Sequence, residues 1–351
     1  MTVPAISVKG LEVSFPTEQG MVKAVRGLSF DLNQQEVLGI VGESGSGKSV
    51  TSLALIGLLA KSAQVSGSIK LDGTELIGMS EKQMYRLRGD KVAMIFQDPL
   101  TSLNPVYTIG WQIVEALQAH RKISKAEARV EAVNLLNLSG IPRPEEAMDS
   151  YPHEFSGGMR QRAVIAIAMA NSPSVILADE PTTALDVTVQ AQVLQSLKNV
   201  LESTQAALIL VTHDLGVIAG MAQRVMVMYA GRIVEYASVD ELFYHPAMPY
   251  THGLLGSIPS TTSDVLERLR QIPGTPPTMV GESKGCPFAP RCPLRQDVCL
   301  ESEPTLELIL SSDGGQHFSA CHFRDDVAKM PVASMFGTSD TSEEGVLDGH
   351  R

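Results

Sequence analysis

The chain has 351 residues, of which 44% are hydrophobic, and a formal net charge of −11, enough apolar material for one large core with an appended module and too much for a small disulfide scaffold. The acidic balance argues against a sequence-independent grip on nucleic acid, which needs Lys and Arg clustered on one face. The longest stretch without Asp, Glu, Lys or Arg, Leu242 to Ser263, is interrupted by Pro246, Pro249 and Pro259 and carries His245 and His252, so no membrane-spanning helix is expected.

Met1-Thr2-Val3-Pro4 leads directly into an alternating pattern, without a basic segment, apolar run and small-residue cleavage site, and a cytosolic chain is expected. Apolar and polar residues alternate from Ile6 to Phe15 and around Leu28 to Leu32, which predicts half-exposed strands forming an antiparallel edge. Glu36 to Val41 reads as a buried strand, followed by a Gly-rich turn and an apolar run, Lys48 to Ala60, suited to a buried helix. Helices are expected at Ile109 to His120, Lys125 to Leu138 and Gly158 to Ala170, a helical subdomain over about 98–171 inserted into the sheet. Ser174 to Ala178 and Ala206 to Val211 are continuous apolar runs joined through a helical segment, Val187 to Leu201, as in a parallel sheet covered on both faces. The main domain is therefore α/β and expected over 1–240. Composition then shifts to Pro, Gly and Cys, which marks a loop-rich extension over 241–325, and a Ser-, Asp-, Glu- and Gly-rich tail, 326–351, expected to be disordered.

Gly42-Glu43-Ser44-Gly45-Ser46-Gly47-Lys48-Ser49 fits the phosphate-loop pattern G-x-x-x-x-G-K-[ST] in the context that pattern requires, after an apolar strand and opening a helix. Its glycines let the backbone curl so that N–H groups face phosphate oxygens, and the helix dipole adds positive potential. Lys48 should reach the β and γ phosphates of a nucleotide, and the Ser49 hydroxyl should ligate Mg²⁺. Val175 to Glu180 is an apolar strand ending in two carboxylates, an arrangement that is costly without a nearby cation. Asp179 would hold Mg²⁺ through water, and Glu180 would polarise an attacking water. All four cysteines, Cys286, Cys292, Cys299 and Cys321, lie in one stretch, which in a reducing compartment suggests a metal or cluster site rather than disulfides.

With Phe155-Ser156-Gly157-Gly158-Met159, which resembles the signature L-S-G-G-Q, the chain resembles the nucleotide-binding subunit of an ABC transporter. The resemblance implies a P-loop NTPase fold with an antiparallel β subdomain, an inserted helical subdomain and the Cys-containing extension. It implies ATP and Mg²⁺ as cofactors, and a head-to-tail pair in which Ser156, Gly157 and Gly158 hold the γ-phosphate of ATP bound to the other subunit. Gln97 resembles the Q-loop residue that senses Mg²⁺ and the membrane partner, Asp186 in Ala184-Leu185-Asp186 the D-loop, and His213 the switch histidine that contacts the γ-phosphate. Phe15 is either the aromatic under the adenine ring or a core aromatic of its strand. Phe155 for Leu and Met159 for Gln depart from the family pattern without removing the serine or the glycines.

His245 to Leu255, Pro273-Gly274 and Gly285 to Pro293 resemble the C-terminal extension of dipeptide and oligopeptide importer ATPases, whose relatives also carry nickel, opines, glutathione or antimicrobial peptides. This implies a second, paralogous ATPase subunit, two membrane permeases, an external substrate-binding protein and a place on the cytoplasmic face of the bacterial cell membrane. Some relatives hold a [4Fe–4S] cluster at the four cysteines; zinc and simple buried thiols remain open. A soluble ABC ATPase of DNA repair or translation is disfavoured by the single uninterrupted cassette and importer-like tail, and an exporter by the same tail.

Overall fold

The computed structural model describes residues 3–18, 20–258, 272–281, 284–310, 314–332 and 335–336. β1 (Ile6–Thr17) and β2 (Gly20–Leu32) alternate buried and exposed side chains and pair antiparallel, as their sequence pattern predicts. β3 (Val37–Val41) is buried at all positions, and α1 (Lys48–Leu55) follows it. The apolar run continues to Ala60, but the helix stops early because Gly57 adopts φ +62°, a left-handed turn that a helix cannot continue through. β4 (Gln64–Leu71) and β5 (Thr74–Glu75) complete an antiparallel sheet in the order β2-β1-β4-β5, so the predicted antiparallel edge is a sheet of its own.

The second sheet is formed by β3, β6 (Val92–Ile95), β7 (Val175–Asp179), β8 (Ala207–Val211), β9 (Arg224–Tyr229), β10 (Arg232–Ser238), β11 (Glu307–Leu310) and β12 (Gln316–Ser319). Its order is β11-β12-β10-β9-β3-β8-β7-β6. The five strands from β9 to β6 run parallel, with helices between them, and their apolar runs on both faces reflect burial on both sides. β10, β12 and β11 add antiparallel strands at one flank. The extension thus supplies sheet as well as loop, because His317 and Ser319 on β12 bury themselves where β12 pairs with β10.

Between β6 and β7, helices Ile109–His120, Lys125–Leu138 and Gly157–Ala168 pack on one another through Ile113, Leu117, Ala132, Leu136 and Ile165. Each begins at a hydroxyl cap: Thr108 Oγ1 accepts from Trp111 N, Ser124 from Glu127 N in a reciprocal capping box, and Ser156 from Met159 N. The uncharged run from Leu242 holds the end of helix Val239–Tyr244 and the whole of helix Pro249–Gly256, and its positions 259–263 lie outside the described residues. Among the described residues no helix is long and apolar enough to cross a membrane. The stretch expected to be disordered from Asp326 begins inside helix Arg324–Val327 and buries Val327 and Phe336, two apolar anchors in an otherwise polar composition; 333–334 and 337–351 lie outside the described residues.

Candidate functional site

Parallel pairing sets the site. Ile40 on β3 and Asp179 on β7 both pair with Val211 on β8, and Ile95 on β6 pairs with Ala178. The carboxyl ends of these strands therefore lie in a row, where ligands of open α/β sheets bind. Chain continuity then delivers Gly42 to Ser49, Gln97, Glu180 and His213 to one edge. They border a cavity of about 800 Å³ lined by Phe15, Ser44, Gly45, Lys48, Ser49, Gln97, Glu180 and His213 among others.

The loop's curl depends on backbone that only glycine adopts without strain: Gly47 has φ +102° where a Cβ would stand 2.5 Å from the Ala24 carbonyl, and Gly42 has φ +151° with the Met228 carbonyl 2.3 Å from a Cβ. Lys48 is buried, and its Nζ donates to the carbonyls of Gly42 at 2.7 Å and Glu43 at 2.9 Å. Burial lowers its pKa against the opposing pull of Glu180, Asp179 and Glu43. Ser49 Oγ donates to Asp179 Oδ1 at 3.2 Å. Burial holds the Asp179 carboxyl above the ordinary carboxylate range, and neighbouring Glu180 adds to the shift while Ser49 and Lys48 oppose it. Two adjacent carboxylates beside a hydroxyl form a hard-oxygen donor set that suits Mg²⁺.

Glu180 sits at φ +48°, a left-handed conformation costing a non-glycine residue about 1–3 kcal/mol. Its N–H donates to Val211 O at 2.8 Å, which holds it there. Oε2 accepts from Gln97 Nε2 at 3.1 Å and Thr183 Oγ1 at 2.8 Å, and His213 Nδ1 stands 3.4 Å away. Strain at the end of β7 thus aims the carboxylate at the cavity.

Ser156, Gly157 and Gly158 do not line this cavity. They open the helix Gly157–Ala168, with Phe155 buried beneath it, so Phe in place of Leu is a core substitution. Asp186 caps helix Val187–Thr204 by accepting from Val189 N at 3.0 Å and does not line the cavity either.

Sequence reasoning missed part of the wall. Ala230 and Gly231, the turn joining β9 to β10, line the cavity, as do Pro276 to Met279 of the extension. The left-handed pair Ala230 and Gly231 between two apolar runs was a legible hairpin signal. Nothing local marks Met279, whose carbonyl accepts from Lys23 N at 3.0 Å.

The four cysteines come together. Cys286, Cys292, Cys299 and Cys321 border one cavity of about 20 Å³, with Cys286 N donating to Cys299 O at 2.8 Å. Burial pushes the Cys292 thiol up to about 11 and the Cys321 thiol up to about 12. Among the described residues, no group of three or more His, Cys, Asp or Glu side chains is arranged to hold a metal ion.

A phosphate loop on β3, paired carboxylates on β7, a glutamine after β6 and a capped Ser-Gly-Gly helix in an inserted helical layer define an ATP-binding cassette of the P-loop class. A dimeric ATP-binding cassette solved in a post-hydrolysis state with ADP and Pi superimposes with a TM-score of 0.60 at 25% identity, covering 67% of this chain and 98% of that one. The family description "ABC transporter" matches residues 25–183, and "Oligopeptide/dipeptide transporter, C-terminal region" matches 234–299. The oligopeptide transport ATP-binding protein OppD of Mycobacterium tuberculosis is 51% identical over 98% of this chain, which spans 56% of that relative's length. The dipeptide transport ATP-binding protein DppD of Bacillus subtilis is 49% identical over 94% of this chain and 97% of its own. The chain belongs to the family of oligopeptide and dipeptide ABC transporter ATP-binding proteins.

Proposed function

We propose that the chain binds and hydrolyses ATP to energise import of dipeptides or oligopeptides, working at the cytoplasmic face of the cell membrane. The observation that carries the hydrolytic part is the convergence of Lys48, Ser49, Asp179, Glu180, Gln97 and His213 on one cavity edge. On nucleotide binding, the loop amides and the dipole of α1 receive the phosphates, and Lys48 exchanges the Gly42 and Glu43 carbonyls for β and γ oxygens. Mg²⁺, when bound, neutralises phosphate charge; Ser49, Asp179 and Gln97 would hold it. Glu180, oriented by Gln97 and Thr183, takes the proton of the attacking water, and His213, 3.4 Å from the Glu180 carboxylate, would contact the γ-phosphate. Phe15, which lines the same cavity while packing against the core beneath it, offers its ring to the adenine.

Ser156, Gly157, Gly158 and Asp186 do not line their own chain's cavity, and this supports a head-to-tail pair in which they complete the site of a second, paralogous ATPase subunit. Two permeases and an external binding protein complete the assembly. A groove of about 600 Å³ between helices Glu81–Leu87 and Ile109–His120, where Tyr85 and Trp111 are exposed beside Glu115, Lys125 and Arg129, offers the permease a seat of mixed polarity. In this reading the cassette occupies 1–240, with its helical layer over about 98–171, and the extension 241–325. The peptide cargo rests on the relatives' names and on the extension.

At the four cysteines we place a thiolate-bound centre, a [4Fe–4S] cluster with zinc as the alternative, acting as a staple for the extension. What supports it is the donor type: four thiols line one cavity, and a bound cation would draw off their protons, although in this structure they are not arranged around a common centre. Iron and acid-labile sulfide, assayed on anaerobically purified protein, should both be found; zinc alone would reject the cluster.

Glu180→Gln should bind Mg-ATP and lose about 10²–10⁴ in turnover, the range of general-base loss. Near-normal turnover would reassign the base. Uptake of labelled peptides by a strain lacking this subunit should fall, and unchanged peptide uptake with lost nickel uptake would move the cargo.

A further inference from the structure

Glu43, the second residue of the phosphate loop, is held from outside the loop. Its backbone N–H donates to the Tyr250 hydroxyl at 2.8 Å. Its carboxylate accepts a two-pronged pair from Arg291, Nη1 to Oε2 at 2.6 Å and Nη2 to Oε1 at 2.8 Å. The Arg291 side chain is 5% exposed. Its remaining donors are used on the extension and on β9: Nε on Pro273 O at 2.8 Å and Nη1 on the Tyr229 hydroxyl at 3.3 Å. Tyr229, Tyr250 and Phe288 pack around the pair with ring centroids 4.7–5.4 Å apart, Tyr229 edge to face on Phe288 and the other two pairs tilted. Arg291 closes the short turn Ala289–Arg291, and Cys286 and Cys292 flank that turn.

From this we infer that Arg291 is a positioning residue of the ATP site, fixing the phosphate loop through Glu43 and making the cysteine-bearing extension a working part of that site. The physical reason lies in what Lys48 must do. Without nucleotide, Lys48 ties down the loop from within by its bonds to the Gly42 and Glu43 carbonyls. When Lys48 turns to a phosphate those carbonyls lose their donor, and the outer brace of Arg291 and Tyr250 keeps the loop in its curled form. A loop so braced needs no ordering as ATP arrives, and preorganisation of this kind acts on affinity rather than on the chemical step. An ordinary structural ion pair would affect stability alone.

The inference rests on the cavity being the ATP site, which Lys48→Ala tests separately by abolishing Mg-ATP binding. In the full chain, Arg291→Ala should raise the KM and Kd for Mg-ATP about tenfold, equivalent to about 1.4 kcal/mol, with kcat changed by less than about threefold. Arg291→Lys should recover part of the loss, since it restores charge without the planar fork. Glu43→Ala combined with Arg291→Ala should be no worse than either alone, because both remove one interaction. A lowered Tm with unchanged KM in Arg291→Ala, or additive penalties in the double variant, would overturn the proposal. Should Arg291→Ala fail to fold, Glu43→Gln decides: a several-fold higher KM supports the brace, and a parental KM refutes it.

Discussion

Asp179 carries a conflict between stability and binding. Its carboxyl is buried next to Glu180 and holds its proton above the ordinary carboxylate range. A raised carboxylate pKa in the folded chain means that the unfolded chain ionises first as pH rises, so folding is penalised above the unfolded value and relieved below it. Asp179→Asn should therefore raise the Tm of the nucleotide-free chain at neutral pH by about 2 °C for each kcal/mol relieved. The gain should shrink as pH falls through the carboxylate range, as thermal unfolding at several pH values would reveal. The same variant should bind Mg-ATP more weakly, because a hard anionic ligand is gone. A variant destabilised at pH 7 would mean that Ser49 and Lys48 already satisfy the carboxylate fully. Strain at Glu180 has the same character: its left-handed backbone is held by the bond from its N–H to Val211 O and turns the carboxylate to the cavity.

At the level of elements, the Ser-Gly-Gly helix is seated on helix Val187–Thr204 through the absence of a side chain. A Cβ on Gly158 would lie 2.3 Å from Val189 Cγ1. Gly158→Ala should push the two helices apart and lower stability by about 1–3 kcal/mol, the usual range for overpacking. Val189→Ala in the same chain should restore most of it, as urea unfolding would report. Mg-ATP binding by the isolated chain should be unaffected, because Gly158 does not line the cavity. Much at this scale was legible from local pattern. Helices Ile109–His120 and Lys125–Leu138 begin and end where their caps and apolar spacing place them. The buried runs of β3, β7 and β8 and the phosphate loop were equally plain. What local pattern does not encode is partnership across distance. Arg291 and Glu43 are joined by an interval of 248 residues, and Met279 reaches β2 through a backbone bond that any residue type could make. Strands β11 and β12 leave no clear signal because each has four residues, too few to show a period.

Taken whole, the molecule fastens its extension to the cassette at a buried polar knot as well as at the ATP site. Glu235 on β10 is fully buried; its Oε1 accepts from Ala247 N at 2.5 Å and stands 2.8 Å from His317 Nε2, and His317 Nδ1 stands 3.6 Å from Glu241. Removing the imidazole takes away a hydrogen-bond partner of the buried Glu235 Oε1, a loss that typically costs about 1–3 kcal/mol. His317→Ala should thus lower the Tm more than any surface substitution, and a scan showing no shift would mean that water replaces the ring. The pairing of β12 with β10 has a bearing on biogenesis. Until Ser319 has been synthesised, β10 presents bare N–H and C=O groups on its outer side, a ready template for another strand. A nascent or proteolytically shortened cassette ending near Asp240 would carry that adhesive flank into the cell, and self-association in light scattering should distinguish it from the full-length chain.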